Sequence, residues 1–124
     1  IEPTSCPTLA AALTADGPVD VEVGGIAADS TGARRAGWIG FQVLREAGVR
    51  VRNVSDDAIV SAQRVLWERC RIAAEPGGAV ACAGLLTGAF VPHPGDTVVV
   101  VVCGANTATL PRSTADASGQ VNPA

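Results

Sequence analysis

Asp96-Thr97-Val98-Val99-Val100-Val101-Val102-Cys103-Gly104-Ala105-Asn106 decides how the rest of the chain is read. Five consecutive valines leave no polar alternation, so both faces of the segment need cover. The run therefore reads as a central parallel strand of an α/β sheet. It leads straight into the small-residue turn Cys103-Gly104-Ala105-Asn106, at the carboxyl end of that strand, which is where open α/β sheets place their ligands. Cys103 is the first candidate binding residue.

Working outward, the chain of 124 residues is one domain by length and long enough to bury a core. Nearly half of it is apolar, yet it holds only two Trp, two Phe and no Tyr or Met, so the interior is expected to be Ala/Val/Leu packing. A net charge of −3 without a basic cluster argues against a nucleic-acid surface. No apolar run reaches the roughly 20 residues of a membrane helix, and no charged-then-apolar leader opens the chain. A soluble, cytoplasmic protein is expected. The four cysteines, Cys6, Cys70, Cys82 and Cys103, show neither a CxxC spacing nor a histidine at metal spacing, which favours free thiols over disulfides or zinc. All nine basic residues are Arg; there is no Lys.

Before the valines, Glu2-Pro3 reads as the end of a strand, followed by a helix over residues 9–15 that Asp16-Gly17-Pro18 stops. Residues 19–23 alternate apolar and acidic side chains, as an extended segment does. A helix is predicted over residues 33–47, with Ile39, Val43 and Leu44 on its inner side, and an edge-type strand over 49–54. Ser55-Asp56-Asp57 is a strong helix start, since a cap and early negative charge suit the free amides there. That helix is expected over residues 57–73 with Ile59, Gln63, Leu66 and Cys70 inward. Glu75-Pro76-Gly77-Gly78 should break the chain before a small-residue helix over 79–87. Asp56-Asp57 is capping chemistry, because neighbours in a helix do not face each other as a catalytic pair. His93, between two prolines, is expected in a loop without a catalytic role, and Arg34-Arg35 on a solvated face. Residues 111–124 are expected to form a disordered tail. The fold class is thus α/β, an open, mostly parallel sheet with flanking helices, over residues 1–110.

Several stretches resemble a family when taken in order: Glu2-Pro3 with its helix, Ala28-Asp29-Ser30-Thr31-Gly32-Ala33-Arg34-Arg35, Leu66-Trp67-Glu68-Arg69, Ala74-Glu75-Pro76-Gly77-Gly78-Ala79 and Val101-Val102-Cys103-Gly104-Ala105-Asn106. Together they are similar to the C-terminal part of the pyridoxal-phosphate-dependent threonine/serine dehydratases, relatives of the serine racemases and the tryptophan synthase β chain. The resemblance implies a fold-type II enzyme part that takes pyridoxal 5'-phosphate and deaminates a hydroxy amino acid to a 2-oxo acid. It implies that Cys103 hydrogen-bonds the pyridine nitrogen, that Gly104 lets the backbone approach the ring, and that Glu75 and the Asp29-Ser30 loop lie beside it. Glu2 matches a carboxylate that binds a divalent cation in some members, but Thr8 stands where those members carry an acidic ligand, so no metal site is expected.

Two family elements have no counterpart here. One is the lysine that forms the Schiff base, the other the glycine-rich phosphate loop; both belong to the N-terminal part of such enzymes. Competence is therefore expected only with a complementary N-terminal polypeptide, with an amino acid as substrate and with a homo-oligomer as the assembled form. Two other readings fit the same residues: a non-catalytic interaction or dimerisation module, and a small-ligand binder that uses the Cys103 turn without covalent chemistry.

Overall fold

The computed structural model describes residues 1–107. The expected tail at 111–124 lies outside the described residues. Two short strands, β1 (Glu2–Pro3) and β2 (Asn53–Val54), pair in parallel with Glu2 opposite Asn53 and Pro3 opposite Val54. The Glu2 amide donates to the Arg52 carbonyl at 2.9 Å and the Thr4 amide to the Val54 carbonyl at 2.8 Å. Five helices flank this pair: α1 (Thr8–Thr14), α2 (Ala28–Thr31), α3 (Trp38–Glu46), α4 (Asp56–Cys70) and α5 (Pro76–Leu86). The α/β class with a parallel sheet and covering helices is the one expected.

The valine run departs from expectation. Residues 98–102 form no ladder with another strand among the described residues. Their side chains still alternate: Val100 and Val102 are half-buried, Val102 against the core, whereas Val99 is 82% and Val101 65% exposed. The composition demands cover on two faces, and these residues supply it on one. A strand also needs backbone partners, and the two described strands satisfy only each other.

The core is a helix pair. Ile59, Ala62 and Leu66 of α4 meet Ala79, Val80 and Ala83 of α5, with Ala27, Val54 and Ala74 closing the cluster. Ala79 and Ala83 of α5 let the two helices approach closely, as the thin Ala/Val/Leu composition predicts, while the glycines of α5 admit other parts of the chain. Gly84 takes Ile1 the same way: a Cβ there would lie 2.6 Å from Ile1 Cγ1.

Ser55 caps α4, its hydroxyl accepting from the Ala58 amide at 3.2 Å, and Asp56 and Asp57 occupy the first turn. At the other end Arg71 turns left-handed (φ 57°), and the Ile72 amide reaches back to the Leu66 carbonyl at 3.1 Å. The helix thus stops short of residue 73. Cys70, expected inward, is exposed, and Ala62 takes the inward place. Gln63 faces the 71–75 segment, donating to the Ala74 carbonyl at 2.8 Å.

The third helix begins at Trp38 instead of residue 33, because residues 34–37 bring Asp20 and Arg35 into an antiparallel bridge. Its inward residue is Phe41, 1% exposed, while Ile39 and Val43 face outward at 79% and 60% exposure. The helix is short and packs mainly on α1, so a single side chain fills the contact.

Glu2 does not sit free for a cation. Its carboxylate accepts from the Leu9 amide at 2.7 Å and the Ala10 amide at 3.0 Å, which satisfies the amino end of α1. Pro7, at the N-cap position, offers no side-chain cap of its own. Glu2→Ala is therefore expected to destabilise the fold by about 1 kcal/mol, the usual worth of a lost cap, measurable as a lower urea midpoint with an unchanged slope.

Asp56 does more than occupy a first turn. Its carboxylate accepts from the Ser5 hydroxyl at 3.1 Å and from the Ile26 amide at 3.1 Å. Gly25, at φ 74°, fits beneath it; a side chain there would run into both Ser5 and Asp56.

Candidate functional site

Four of the five expected cofactor residues come together around the first turn of α5. Pro76 occupies the first helical position, where its missing N–H costs nothing and its fixed φ suits the helix. The helix accordingly starts at Pro76 and not at Ala79, and Gly77 and Gly78 lie inside it. Both are small for a reason visible in the structure. A Cβ on Gly77 would collide with the Ser30 hydroxyl, and one on Gly78 would lie 2.8 Å from the Gly104 carbonyl oxygen and 2.9 Å from that of Cys103.

The 103–104 turn is clasped from the other side as well. The Glu75 amide donates to the Gly104 carbonyl at 3.1 Å. Gly104 has φ 112°, a conformation that favours glycine, and a Cβ on it would fall into the Glu75 carboxylate. Glycine at 104 thus lets the acid of Glu75 lie flat against the chain next to Cys103. Ser30 reaches Gly77 in the first turn of α5 from α2, held by its hydroxyl donating to the Ala27 carbonyl at 3.4 Å. Asp29 lies exposed in the first turn of α2.

The Cys103 thiol is free and exposed, and neither it nor the Glu75 carboxylate makes a side-chain hydrogen bond among the described residues. The two glycines bring the Glu75 carboxylate and the backbone carrying the Cys103 thiol into one neighbourhood, an acceptor and a weak donor that both remain available to a ligand. Cys82 is not a second candidate: burial pushes its thiol pKa up, and the neighbouring Cys70 raises it further, so it stays a protonated, weakly reactive group. No group of acidic, histidine or cysteine side chains among the described residues could hold a metal ion. Gly77 and Gly78, read from the sequence only as a turn, are the residues that admit Ser30 and the 103–104 turn to α5, a part that sequence reasoning missed. The available signal was the pair of glycines directly after a proline able to start a helix.

Comparison with known proteins shows the family of the chain. A family model described as pyridoxal-phosphate dependent enzyme matches residues 1–104. The biosynthetic L-threonine dehydratase of Mycobacterium tuberculosis (strain ATCC 25618 / H37Rv) is 34% identical over 108 residues, covering 86% of this chain and 25% of that protein. The phenylserine dehydratase of Ralstonia pickettii is 31% identical over 107 residues, covering 86% and 33%. Among solved structures, a threonine deaminase from T.th. superposes with a TM-score of 0.75 at 28% identity, over 85% of this chain and 38% of that one. The chain thus spans about a quarter of the length of the mycobacterial threonine dehydratases it matches. With a family model covering most of its length and dehydratases among its relatives, the chain belongs to the pyridoxal-phosphate dependent enzymes, as a threonine dehydratase-like member.

Proposed function

We propose that these residues form the ring-facing wall of a pyridoxal-phosphate site in a lyase that deaminates a hydroxy amino acid, threonine or serine, to a 2-oxo acid. The observation that carries the reading is the convergence of Ser30, Glu75 and the Cys103–Gly104 turn on the first turn of α5. Cys103 would donate its S–H to the ring nitrogen, and a thiol partner would leave that nitrogen neutral where a carboxylate partner would favour the protonated form. Gly104 makes room for the Glu75 carboxylate beside Cys103, and Glu75, Asp29 and Ser30 would border the ring. When bound, pyridoxal phosphate supplies the electron sink that weakens bonds at the α-carbon of the amino acid.

The amine that takes part in this chemistry is not among these 124 residues, which contain no lysine. In this proposal a lysine-bearing polypeptide portion supplies it together with the phosphate-binding loop. The bare Val99 and Val101 side chains support a role in association with that portion or within a homo-oligomer. Four free cysteines support a reducing, cytoplasmic setting, and no helix among the described residues is long and apolar enough to cross a membrane.

The test combines the chain with the lysine-bearing portion of a threonine dehydratase and pyridoxal phosphate, and follows cofactor binding and 2-oxo acid release from L-threonine and L-serine. Cys103→Ala is expected to weaken cofactor binding about two- to tenfold, the worth of one hydrogen bond. Cofactor binding that is identical in the wild type and the variant would remove Cys103 from the site, and no 2-oxo acid from either substrate would remove the reaction.

A further inference from the structure

At the opposite end of α5 from Glu75 lies a cavity of about 320 Å³, lined by Arg50 and Arg52 ahead of β2, by Ala89, Phe90 and Val91, and by His93 and Asp96. With 11 residues in α5, the two places are separated by about 16 Å of helix. The volume lies within the range of small-molecule sites. We propose that this cavity binds a small organic anion, one with a carboxylate or phosphate head and a compact apolar body.

In a chain of net charge −3, two guanidinium groups and an imidazole line one cavity against a single carboxylate. The carboxylate is already engaged. Asp96 accepts from the His93 amide at 2.9 Å while its own amide donates to the His93 carbonyl at 3.1 Å, so it serves the turn that forms the cavity rim. The two guanidiniums are much less committed. Arg52 donates only to the carbonyl of its neighbour Val51 at 2.9 Å, and Arg50 has no hydrogen bond or ion pair among the described residues. Both ion pairs in the described fold use other arginines, Arg35 and Arg45. Arginine presents a planar fork of donors that matches carboxylate and phosphate oxygens.

The apolar side of the cavity is also held in place. The Phe90 amide donates to the Gly84 carbonyl at 3.0 Å and the Gly88 amide to the Leu85 carbonyl at 3.1 Å, anchoring the rim to the end of α5. Phe90 and Val91 then offer a face for the body of the ligand beside the cationic groups. Inorganic phosphate alone would use only half of these features.

Titration calorimetry of the full chain with phenyl phosphate, phenylacetate and inorganic phosphate tests the proposal and separates the two head groups. At least one aromatic anion is expected to bind at a single site, more tightly than inorganic phosphate. In the Arg50→Gln/Arg52→Gln double variant that binding falls at least tenfold, and in Asp96→Asn it tightens. Amide resonances of residues 50–52 and 88–96 shift on titration, and those of 75–78 and 103–104 do not. Absence of saturable binding by either aromatic anion overturns the proposal, as does equal binding by the double variant or a response confined to 75–78 and 103–104. If the two arginines serve only to offset the carboxyl end of α5, the double variant melts at a lower temperature with anion binding unchanged, which also overturns it. Of these outcomes only a response at 75–78 and 103–104 bears on the Cys103 site, so the failure of this proposal and the failure of the Cys103 reading are told apart.

Discussion

Ile59→Ala is expected to lower the unfolding free energy by about 2–5 kcal/mol, the range for deleting a fully buried aliphatic side chain down to Cβ. Ile59 is 0% exposed in the core cluster that α4 and α5 share, and five of the other eight members of that cluster are alanines. Alanines cannot swing across a gap, so the cavity persists and the loss belongs in the upper part of that range. Against a total stability of about 5–15 kcal/mol for a typical domain, the change is large. Urea titration followed by circular dichroism would read it as a lower midpoint at unchanged slope. Ile59→Val, one methyl smaller, is expected to cost about 0.5–1.5 kcal/mol. A loss below about 1 kcal/mol in the alanine variant would mean that the helix pair is not the core.

Gly78→Ala should run against its own helix propensity. Replacing glycine by alanine inside a helix ordinarily stabilises by about 1 kcal/mol. Here the new methyl would stand 2.8 Å from the Gly104 carbonyl oxygen and 2.9 Å from that of Cys103, both backbone atoms with no rotamer to yield. Either the 103–104 turn moves off α5 or the helix does. The expected net effect is a loss of about 1–3 kcal/mol, typical of overpacking, together with faster hydrogen exchange at the Glu75 amide, whose acceptor is the Gly104 carbonyl. Gly40→Ala in α3 is the control: nothing lies within 4 Å of its Cβ position, so there the ordinary gain should appear. If Gly78→Ala stabilises as Gly40→Ala does, the turn does not rest on α5 and the site loses its geometry.

Much of this was legible in the residues, and the failures share a cause. The Ser55-Asp56-Asp57 start of α4 could be read because caps are local chemistry, and the observed cap is Ser55 itself. Ile59 and Leu66 could be placed inward because helical periodicity is local too. What misled was context. Phe41, not Ile39 or Val43, is buried in α3, because the direction of a short helix's inner side depends on where α1 lies. The valine run announced a need for cover but not its source, and β1 and β2 pair with each other instead. Glu75-Pro76-Gly77-Gly78 carries breaker residues, and only the approach of Ser30 and Gly104 explains why two glycines begin a helix. The grouping of Glu75, Ser30 and Cys103 came from family resemblance, since nothing in their separate spacings brings three distant stretches to one helix end.

The Asp56 carboxylate ties together positions that the chain itself keeps far apart, accepting from Ser5, 51 residues away, and Ile26, 30 residues away, over a glycine that cannot grow a side chain. Positions 5, 25 and 56 therefore form one unit of inheritance. A descendant that lost the acid would strand two donors at once, and one that replaced the glycine would push the acid off both. Drift at any of the three should be found only where the other two have drifted in step.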